Sequence, residues 1–189
     1  SSTSTAEKPL LIFNEPQASG NCYPYQKDAT QHNATQYACV TKGVHLGQRT
    51  VLSDSIATAG GAIDAVSCSI SLEQNQIKRN KAKGPGGAIQ LGIRSKLLVT
   101  SSTTFYANNA GTDGGAIACQ TCDSIVMNSD ALFSANVAGR SGGAMSVLNP
   151  VLKTLSSSST FRENRAETGN GGAARVLDSS SAGEWTSSG

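Results

Sequence analysis

Three carboxylates in one stretch of the chain are the first candidates for catalytic chemistry. Enzymes that cleave glycans need two carboxyl groups at one site, one as acid and the other as base or nucleophile. Some also hold calcium against an acidic sugar with clustered acidic residues. Asp113, Asp123 and Asp130 have this chemistry. We expect them at different corners or strands, where aspartates commonly serve in turns, and we therefore assign no catalytic residue.

Five cysteines offer disulfide or metal chemistry. Cys119 and Cys122 form a C-x-x-C motif without a second such motif or a nearby histidine pair, so a local disulfide is favoured over zinc. Cys22 and Cys39 are candidate partners of another disulfide. Cys68 is either a buried thiol or bonded to the N-terminal segment. This cysteine usage favours an extracellular or cell-surface location, and we predict no metal site and no cofactor.

The other polar candidates carry weaker signals. His32 and His45 stand outside any Ser/His/Asp arrangement. Asn33 begins an Asn-Ala-Thr sequon and is a glycosylation candidate if the source is a eukaryote. A basic cluster, which we interpret as a solvated corner with an anionic-ligand site as the alternative, comprises Lys78, Arg79, Lys81 and Lys83. It lacks the dense charge and interleaved aromatics of nucleic-acid binding, so we predict no nucleic-acid partner.

These side chains must be positioned by a sequence repeat that covers more than half of the chain. The first repeated motif is Phe-x-x-Asn, and its asparagines are 28 residues apart: Asn80, Asn108, Asn136 and Asn164. Its apolar position holds Ile77, Phe105, Phe133 and Phe161. The second motif is Gly-Gly-Ala, with glycines Gly60, Gly61, Gly86, Gly87, Gly114, Gly115, Gly142, Gly143, Gly171 and Gly172. A fixed period of this kind indicates a solenoid.

The apolar runs within each period predict strands. They are short, alternate in places and are bounded by Gly, Ser, Asn or Asp. Apolar spacing typical of a helix does not persist anywhere, so helical repeats are disfavoured. Three short strands per period describe one coil of a parallel β-helix. We therefore predict an all-β fold, a right-handed parallel β-helix of about five coils.

Stacking of identical positions gives each repeated residue a structural role. The phenylalanines and Ile77 should form an interior column, and the asparagines a ladder in which each amide bonds the next and the corner backbone. The glycine pairs allow positive φ or close backbone approach. Val51 and Asp54 open a degenerate first copy, so Asp54 should begin the ladder. The ten strand positions expected to face outward hold a single carboxylate, which makes no catalytic pair. One row holds Asp64, Gln90, Ala118, Ser146 and Arg175, and the other holds Val66, Gly92, Gln120, Leu148 and Leu177.

Composition and motif boundaries divide the chain into three parts. Aromatic residues make up 5% and charged residues 15%, a balance that suits a stacked solenoid better than an α/β enzyme. Residues 1–50 lack the repeat and are predicted to cap one raw end of the β-helix, which spans residues 51–177. Residues 178–189 form a Ser-rich tail that looks too polar to cap the other end, so further coils are expected to follow.

The paired motifs resemble those of a known family. Gly114-Gly-Ala-Ile117, Gly142-Gly-Ala-Met145, Phe105–Asn108 and Phe133–Asn136 look like the repeats of the polymorphic outer membrane proteins of chlamydiae. Similar repeats occur in large surface proteins of other bacteria, algae and protists. The resemblance covers roughly residues 51–175. It implies a β-helical passenger displayed at a cell surface, often adhesive.

Two function classes follow from this reading. The first is a non-catalytic extracellular or cell-surface module, acting in adhesion or as a structural component of a surface assembly. Its partners would be proteins or glycans at a cell surface or wall, and its open end could continue into further coils or dock another chain by strand addition. The alternative is a glycan-active enzyme, a polysaccharide lyase or hydrolase of the β-helix class. We favour the non-catalytic module.

Overall fold

The computed structural model describes residues 44–128, 130–149 and 159–177, and the backbone of residues 22–25, 36–39 and 152–155. These residues form strands and turns without a helix, which confirms the all-β prediction. Asn33 and the Ser-rich tail lie outside the described residues, as does most of the N-terminal segment.

The strands follow one another in five layers of four. A hairpin of β1 (Cys22–Tyr25) and β2 (Gln36–Cys39) precedes them. Layer 1 holds β3 (Val44–Leu46), β4 (Val51–Ser53), β5 (Ile56–Ala57) and β6 (Ile63–Val66). Layer 2 holds β7 (Ser69–Leu72), β8 (Gln76–Lys78), β9 (Lys81–Ala82) and β10 (Ile89–Leu91). Layer 3 holds β11 (Lys96–Val99), β12 (Thr103–Tyr106), β13 (Asn109–Ala110) and β14 (Ile117–Gln120). Layer 4 holds β15 (Ser124–Met127), β16 (Ala131–Ser134), β17 (Val137–Ala138) and β18 (Met145–Leu148). Layer 5 holds β19 (Leu152–Leu155), β20 (Thr160–Arg162), β21 (Arg165–Ala166) and β22 (Ala174–Leu177).

Equivalent strands of successive layers pair in parallel and build four sheets. Sheet A contains β6, β10, β14, β18 and β22, with β2 and β1 added at its start. Sheets B, C and D begin at β3, β4 and β5 and contain five strands each. Five stacked strands are separated by four steps, so the chain completes about four turns, slightly fewer than the five predicted coils. The parallel β-solenoid itself is confirmed.

Each layer has four strands where the sequence pattern predicted three. The additional strand is only two residues long and follows each ladder asparagine, as in Lys81–Ala82 after Asn80. A run of two residues is too short to show a period in sequence. The alanine of each of these short strands nevertheless faces the core, and Ala82, Ala110 and Ala138 are buried.

A sharp corner separates sheet C from sheet D in every layer. The residue before the ladder position has positive φ in each case: Asp54, Arg79, Ala107, Ala135 and Glu163. Such backbone is uncommon for non-glycine residues, and its recurrence shows that the stacked neighbours impose the turn. This turn directs the side chain of the following residue into the solenoid. The ladder asparagines occupy that position in layers 2 to 5.

The N-terminal hairpin extends sheet A beyond the first layer. Strand β2 pairs in parallel with β6 through Tyr37 and Ala38, and β1 pairs antiparallel with β2. The edge of β6 that faces the N-terminal end of the solenoid is therefore covered at Ala65 and Val66. An exposed strand edge is a template for unwanted pairing, so this arrangement protects one sheet at this end.

Candidate functional site

The ladder asparagines form a continuous chain of hydrogen bonds inside the corner. Asn80 Nδ2 donates to Asn108 Oδ1 at 3.0 Å, and Asn108 Nδ2 donates to Asn136 Oδ1 at 3.0 Å. Asn136 Nδ2 continues to Asn164 Oδ1 at 2.9 Å. Each Nδ2 also donates to a backbone oxygen of the preceding layer, such as Ile77 O at 2.9 Å from Asn108. The buried amides thus satisfy one another and the corner backbone.

The first layer departs from the expected register. Ile56 pairs with Lys81, which places Ser55, and not Asp54, at the ladder position before Asn80. The Ser55 N–H donates to Asn80 Oδ1 at 3.1 Å. Asp54 sits at the positive-φ corner instead, with its side chain about half exposed and bonded to Arg79. The assignment of Asp54 to the ladder was wrong because the first layer is shorter than the 28-residue period. A single degenerate copy of the motif does not show how many residues are missing.

The same shift changes the start of the interior column. Leu52 is the partner of Ile77 and is buried, whereas Val51 is 47% exposed. Above Ile77, the rings of Phe105 and Phe133 stack with centroids 4.7 Å apart. Phe133 and Phe161 stack at 4.8 Å. The spacing equals that of hydrogen-bonded strands, so the rings follow the backbone ladder.

The two glycines of each pair serve different purposes. The first has positive φ, between 54° and 72°, in all five layers. In layers 1 to 4 the second approaches the next layer: a Cβ on Gly115 would overlap the Gly143 carbonyl and lie 2.7 Å from the Val137 backbone nitrogen. Substitution would therefore be strained at the first position and would collide with backbone at the second.

The cysteines separate into three environments. Cys119 and Cys122 are buried and form a disulfide, as predicted. The backbone register places Cys22 directly opposite Cys39 in the antiparallel hairpin, a position that allows a disulfide. Cys68 is buried, and its thiol lies 3.3 Å from Val66 O.

The three candidate carboxylates lie at three different corners of the solenoid. Asp113 precedes β14 at the corner between sheets D and A, Asp123 lies between sheets A and B, and Asp130 lies between sheets B and C. Asp113 is buried and accepts two hydrogen bonds from Arg140, whose pKa is raised mainly by its hydrogen bond to that carboxylate. Arg175 Nη1 lies 4.0 Å from Asp113 Oδ1. This carboxylate is held in a structural ion pair.

The middle of a row on sheet A that was expected to face solvent is buried. Gln90 is 8% exposed, and Ala118 and Ser146 are 1% exposed. The glycine corner is the turn between sheets D and A that carries each glycine pair. It folds back over this row, as Gly114 shows: a Cβ at this residue would lie 2.9 Å from Ala118 N. Gln90 Oε1 and Ser146 Oγ have no hydrogen-bond partner within the described chain. Asp64 and Arg175, at the two ends of the row, are half-buried, and the three residues between them offer no open surface for a substrate.

A cavity of about 360 Å³ lies on the outer face of sheet B. Its lining combines apolar groups with small hydroxyls and Lys96: Val44, His45, Ser69, Ile70, Ser71, Lys96, Leu97, Leu98, Ser124 and Val126. His45 Nε2 approaches Glu73 Oε2 at 3.9 Å beside it. The lining residues include no carboxylate to serve as a catalytic acid or base.

The corner between sheets C and D carries the basic cluster. Lys78 pairs with Tyr106 in the next layer, which is 46% exposed, and the Arg79 N–H donates to Tyr106 O at 2.9 Å. Lys81 on β9 and Lys83 directly after it are exposed. We call these five residues the basic corner. Arg79 makes two hydrogen bonds to Asp54, at 2.7 and 2.6 Å, which lower the pKa of that carboxyl and raise the pKa of Arg79.

The last layer presents a row of backbone donors at the end of the described solenoid. In each of layers 1 to 4, four consecutive N–H groups of the glycine corner donate to carbonyls of the next layer. Gly142, Gly143, Ala144 and Met145, for example, donate to the corner of layer 5 at 2.7–3.1 Å. Among the described residues, nothing accepts from their equivalents in layer 5, Gly171 to Ala174.

Sequence reasoning missed several buried polar residues that hold other corners. Asn75 Nδ2 donates to Gly47 O at 2.8 Å, and its Oδ1 accepts from the Glu73 N–H at 2.7 Å. Ser95 Oγ donates to Ala65 O at 2.9 Å. Neither residue recurs as the same type in other periods, so stacking gave no sign of them. Asn75 does lie 28 residues before Thr103, which it contacts.

No protein-family model matches this chain, and comparisons with curated proteins and with solved structures give no significant match. The relationship to polymorphic outer membrane proteins therefore stays a prediction from the motifs. No helix in residues 44–128, 130–149 or 159–177 is long and apolar enough to cross a membrane. The same residues hold no group of three or more His, Cys, Asp or Glu side chains arranged to bind a metal ion.

Proposed function

We propose that this chain is a non-catalytic extracellular or cell-surface module, acting in adhesion or as a structural component of a surface assembly. The observation that carries the proposal is the donor row of layer 5. Gly171 to Ala174 have the same backbone arrangement as the corners below them, where each such N–H is bonded to another layer. A surface with this geometry suits stacking of further solenoid.

Gly172 supports stacking at this end. The second glycine of every earlier pair would collide with the next layer if it carried a Cβ, whereas among the described residues a Cβ on Gly172 would meet only Asn164 O, at 3.8 Å. Layer 5 also retains Phe161 and Asn164 of the repeat. The partner that fits is a β-solenoid coil of the same repeat type, presenting carbonyls above the corner and an Asn acceptor above the Asn164 N–H.

A second copy stacked head to tail fits less well. Strand β2 already occupies part of the N-terminal edge of β6, which β22 of another copy would need. The ladder position of layer 1 is Ser55, which lacks the side-chain carbonyl that Asn supplies elsewhere.

The Cys119–Cys122 disulfide is consistent with an oxidising location outside the cell.

A glycan-active enzyme is the alternative, and the sheet B cavity is the place where it would act. Its lining lacks carboxylates, while Asp113, Asp123 and Asp130 lie at separate corners. These positions favour the non-catalytic module.

One experiment separates the two functions. The purified chain is incubated with neutral and acidic glycans, with and without calcium, and mass spectrometry reports bound and cleaved species. Intact glycans are expected. New oligosaccharide products would overturn the proposal and favour the enzyme.

A second experiment tests the coil end. A tandem variant carries residues 137–164 duplicated after Asn164, which adds one repeat period to the solenoid. We expect higher thermal stability than the parent chain because another layer is buried. A lower melting temperature would show that the solenoid does not accept a further layer of this repeat.

A further inference from the structure

We infer that the basic corner binds an anionic polysaccharide, with charged groups of the polymer on the lysines and a sugar ring against Tyr106. The inference rests on the proposed function, because it names a partner class for the same surface module. It concerns the outer face of sheets C and D, away from the donor row of layer 5.

Charge is the first support. Residues 50–58, 76–83 and 103–111 form the C and D strands and corners of layers 1 to 3. They contain four cations and one carboxylate, Asp54. That carboxylate is bonded to Arg79, and these three segments, all of them described, hold no second carboxylate to balance Lys78, Lys81 and Lys83. A linear polyanion would supply the missing charge.

The exposed side chains around the lysines are the second support. Tyr106 lies beside Lys78 in the neighbouring strand and has almost half of its surface exposed. An aromatic ring with one open face can pack against the apolar face of a sugar, and its hydroxyl can hydrogen-bond. On the other side of the lysines, Ile56 pairs with Lys81 and is 53% exposed. The corner thus joins charge with amphipathic contact surface.

The observations favour a polysaccharide over a nucleic acid. Single strands are bound by several aromatic side chains along a basic groove, one stacking on each base. The basic corner has one tyrosine and a short cluster of cations at a turn between two sheets. Carboxylated and sulfated glycans share the required chemistry, and the two sources are compared directly in the test.

The test measures binding of the full chain to polygalacturonate, to heparin and to neutral dextran by isothermal titration calorimetry. We expect binding to at least one anionic polymer, weakened by salt, and none to dextran. The variant K78Q/K81Q/K83Q should bind roughly ten- to hundredfold more weakly, since each exposed ion pair contributes a fraction of a kcal/mol to about 1 kcal/mol.

A matched variant removes the same charge elsewhere. R49Q/R94Q/K96Q takes three cations from exposed positions outside the basic corner and should retain most of the affinity. Equal losses in the two triple variants would overturn the inference, because they would show attraction to net charge alone. Thermal melts of both variants establish that the fold is retained.

A gain-of-affinity variant tests the corner independently. Asp54→Asn removes the one carboxylate, frees Arg79 and keeps a residue that tolerates positive φ. We expect affinity to increase about threefold. Asp123→Asn makes the same charge change at another corner and should have little effect. An unchanged affinity in Asp54→Asn would contradict the assigned site.

The outcomes separate this inference from the proposed function. Cleaved polymer would overturn the proposed function. Intact polymer that does not bind would overturn the inference alone. Single-stranded DNA of matched charge should bind more weakly, and equal binding that depends on the same lysines would overturn recognition of a polysaccharide.

Discussion

The inner layers and the last layer carry the same repeated residues in different surroundings. Phe133 is fully buried between two rings, whereas Phe161 has one stacked ring and is partly exposed. Gly115 touches the backbone of layer 4, and Gly172 has almost open space beside it. Asn108 bonds neighbours in both directions, and Asn164 bonds only the layer below among the described residues. A repeated side chain therefore contributes fully only when a layer lies on each side of it.

The phenylalanine column should show the largest difference. Phe133→Ala leaves a cavity between Phe105 and Phe161, and we expect it to lower the free energy of unfolding by about 3–5 kcal/mol. Phe161→Ala should cost clearly less, because its ring already contacts solvent. Urea denaturation monitored by circular dichroism measures both. Equal losses would indicate that Phe161 is covered as completely as Phe133.

The second glycine of the pair should show a large difference in stability between an inner layer and the last layer when a single methyl group is added. Gly115→Ala should destabilise the fold by about 3 kcal/mol, because the added methyl group would press on the backbone of Gly143 and Val137. Gly172→Ala should change stability by less than about 0.5 kcal/mol. Thermal melts of the two variants decide. A large loss in Gly172→Ala would mean that another part of the chain already packs on this corner.

Substitutions in the asparagine ladder should also cost more stability in an inner layer than in the last layer, with smaller losses. Asn108→Leu removes the acceptor of the Asn80 amides and the donor to Ile77 O, and we expect a loss of about 2–3 kcal/mol. Asn164→Leu should cost less, since water can replace part of its contacts. An unchanged melting temperature in Asn108→Leu would contradict the ladder.

The smallest expected effect is at the first layer. Arg79 lowers the pKa of Asp54, so this pair contributes stability above the unfolded pKa, near 3.8, and loses it as pH falls through the lower folded value. The pair is exposed, and the loss should be small. Melting temperatures from pH 6 to pH 2 should fall slightly less in Asp54→Asn than in the parent chain. A larger fall in the variant would contradict this assignment.

How far the sequence predicted these features depended on how often each one recurs. The asparagine spacing of 28 residues predicts which strands pair, and the structure contains Phe105 opposite Phe133 and Phe133 opposite Phe161. The first layer has a different length, so its register was misassigned at Val51 and Asp54. Non-repeating residues such as Asn75 and Ser95 gave no pattern, although they hold buried corners.

The sequence by itself determined the parallel solenoid and the residues that stack. A fixed period places chemically identical side chains one strand spacing apart, where they can repeat the same contacts. Only the tertiary structure decided which faces are open. The glycine corner buries Gln90, Ala118 and Ser146, the shorter first layer puts Ser55 into the ladder, and no described residue accepts from the donors of the last corner. Each depends on what the neighbouring layer places above or below a residue, and the period alone does not contain that information.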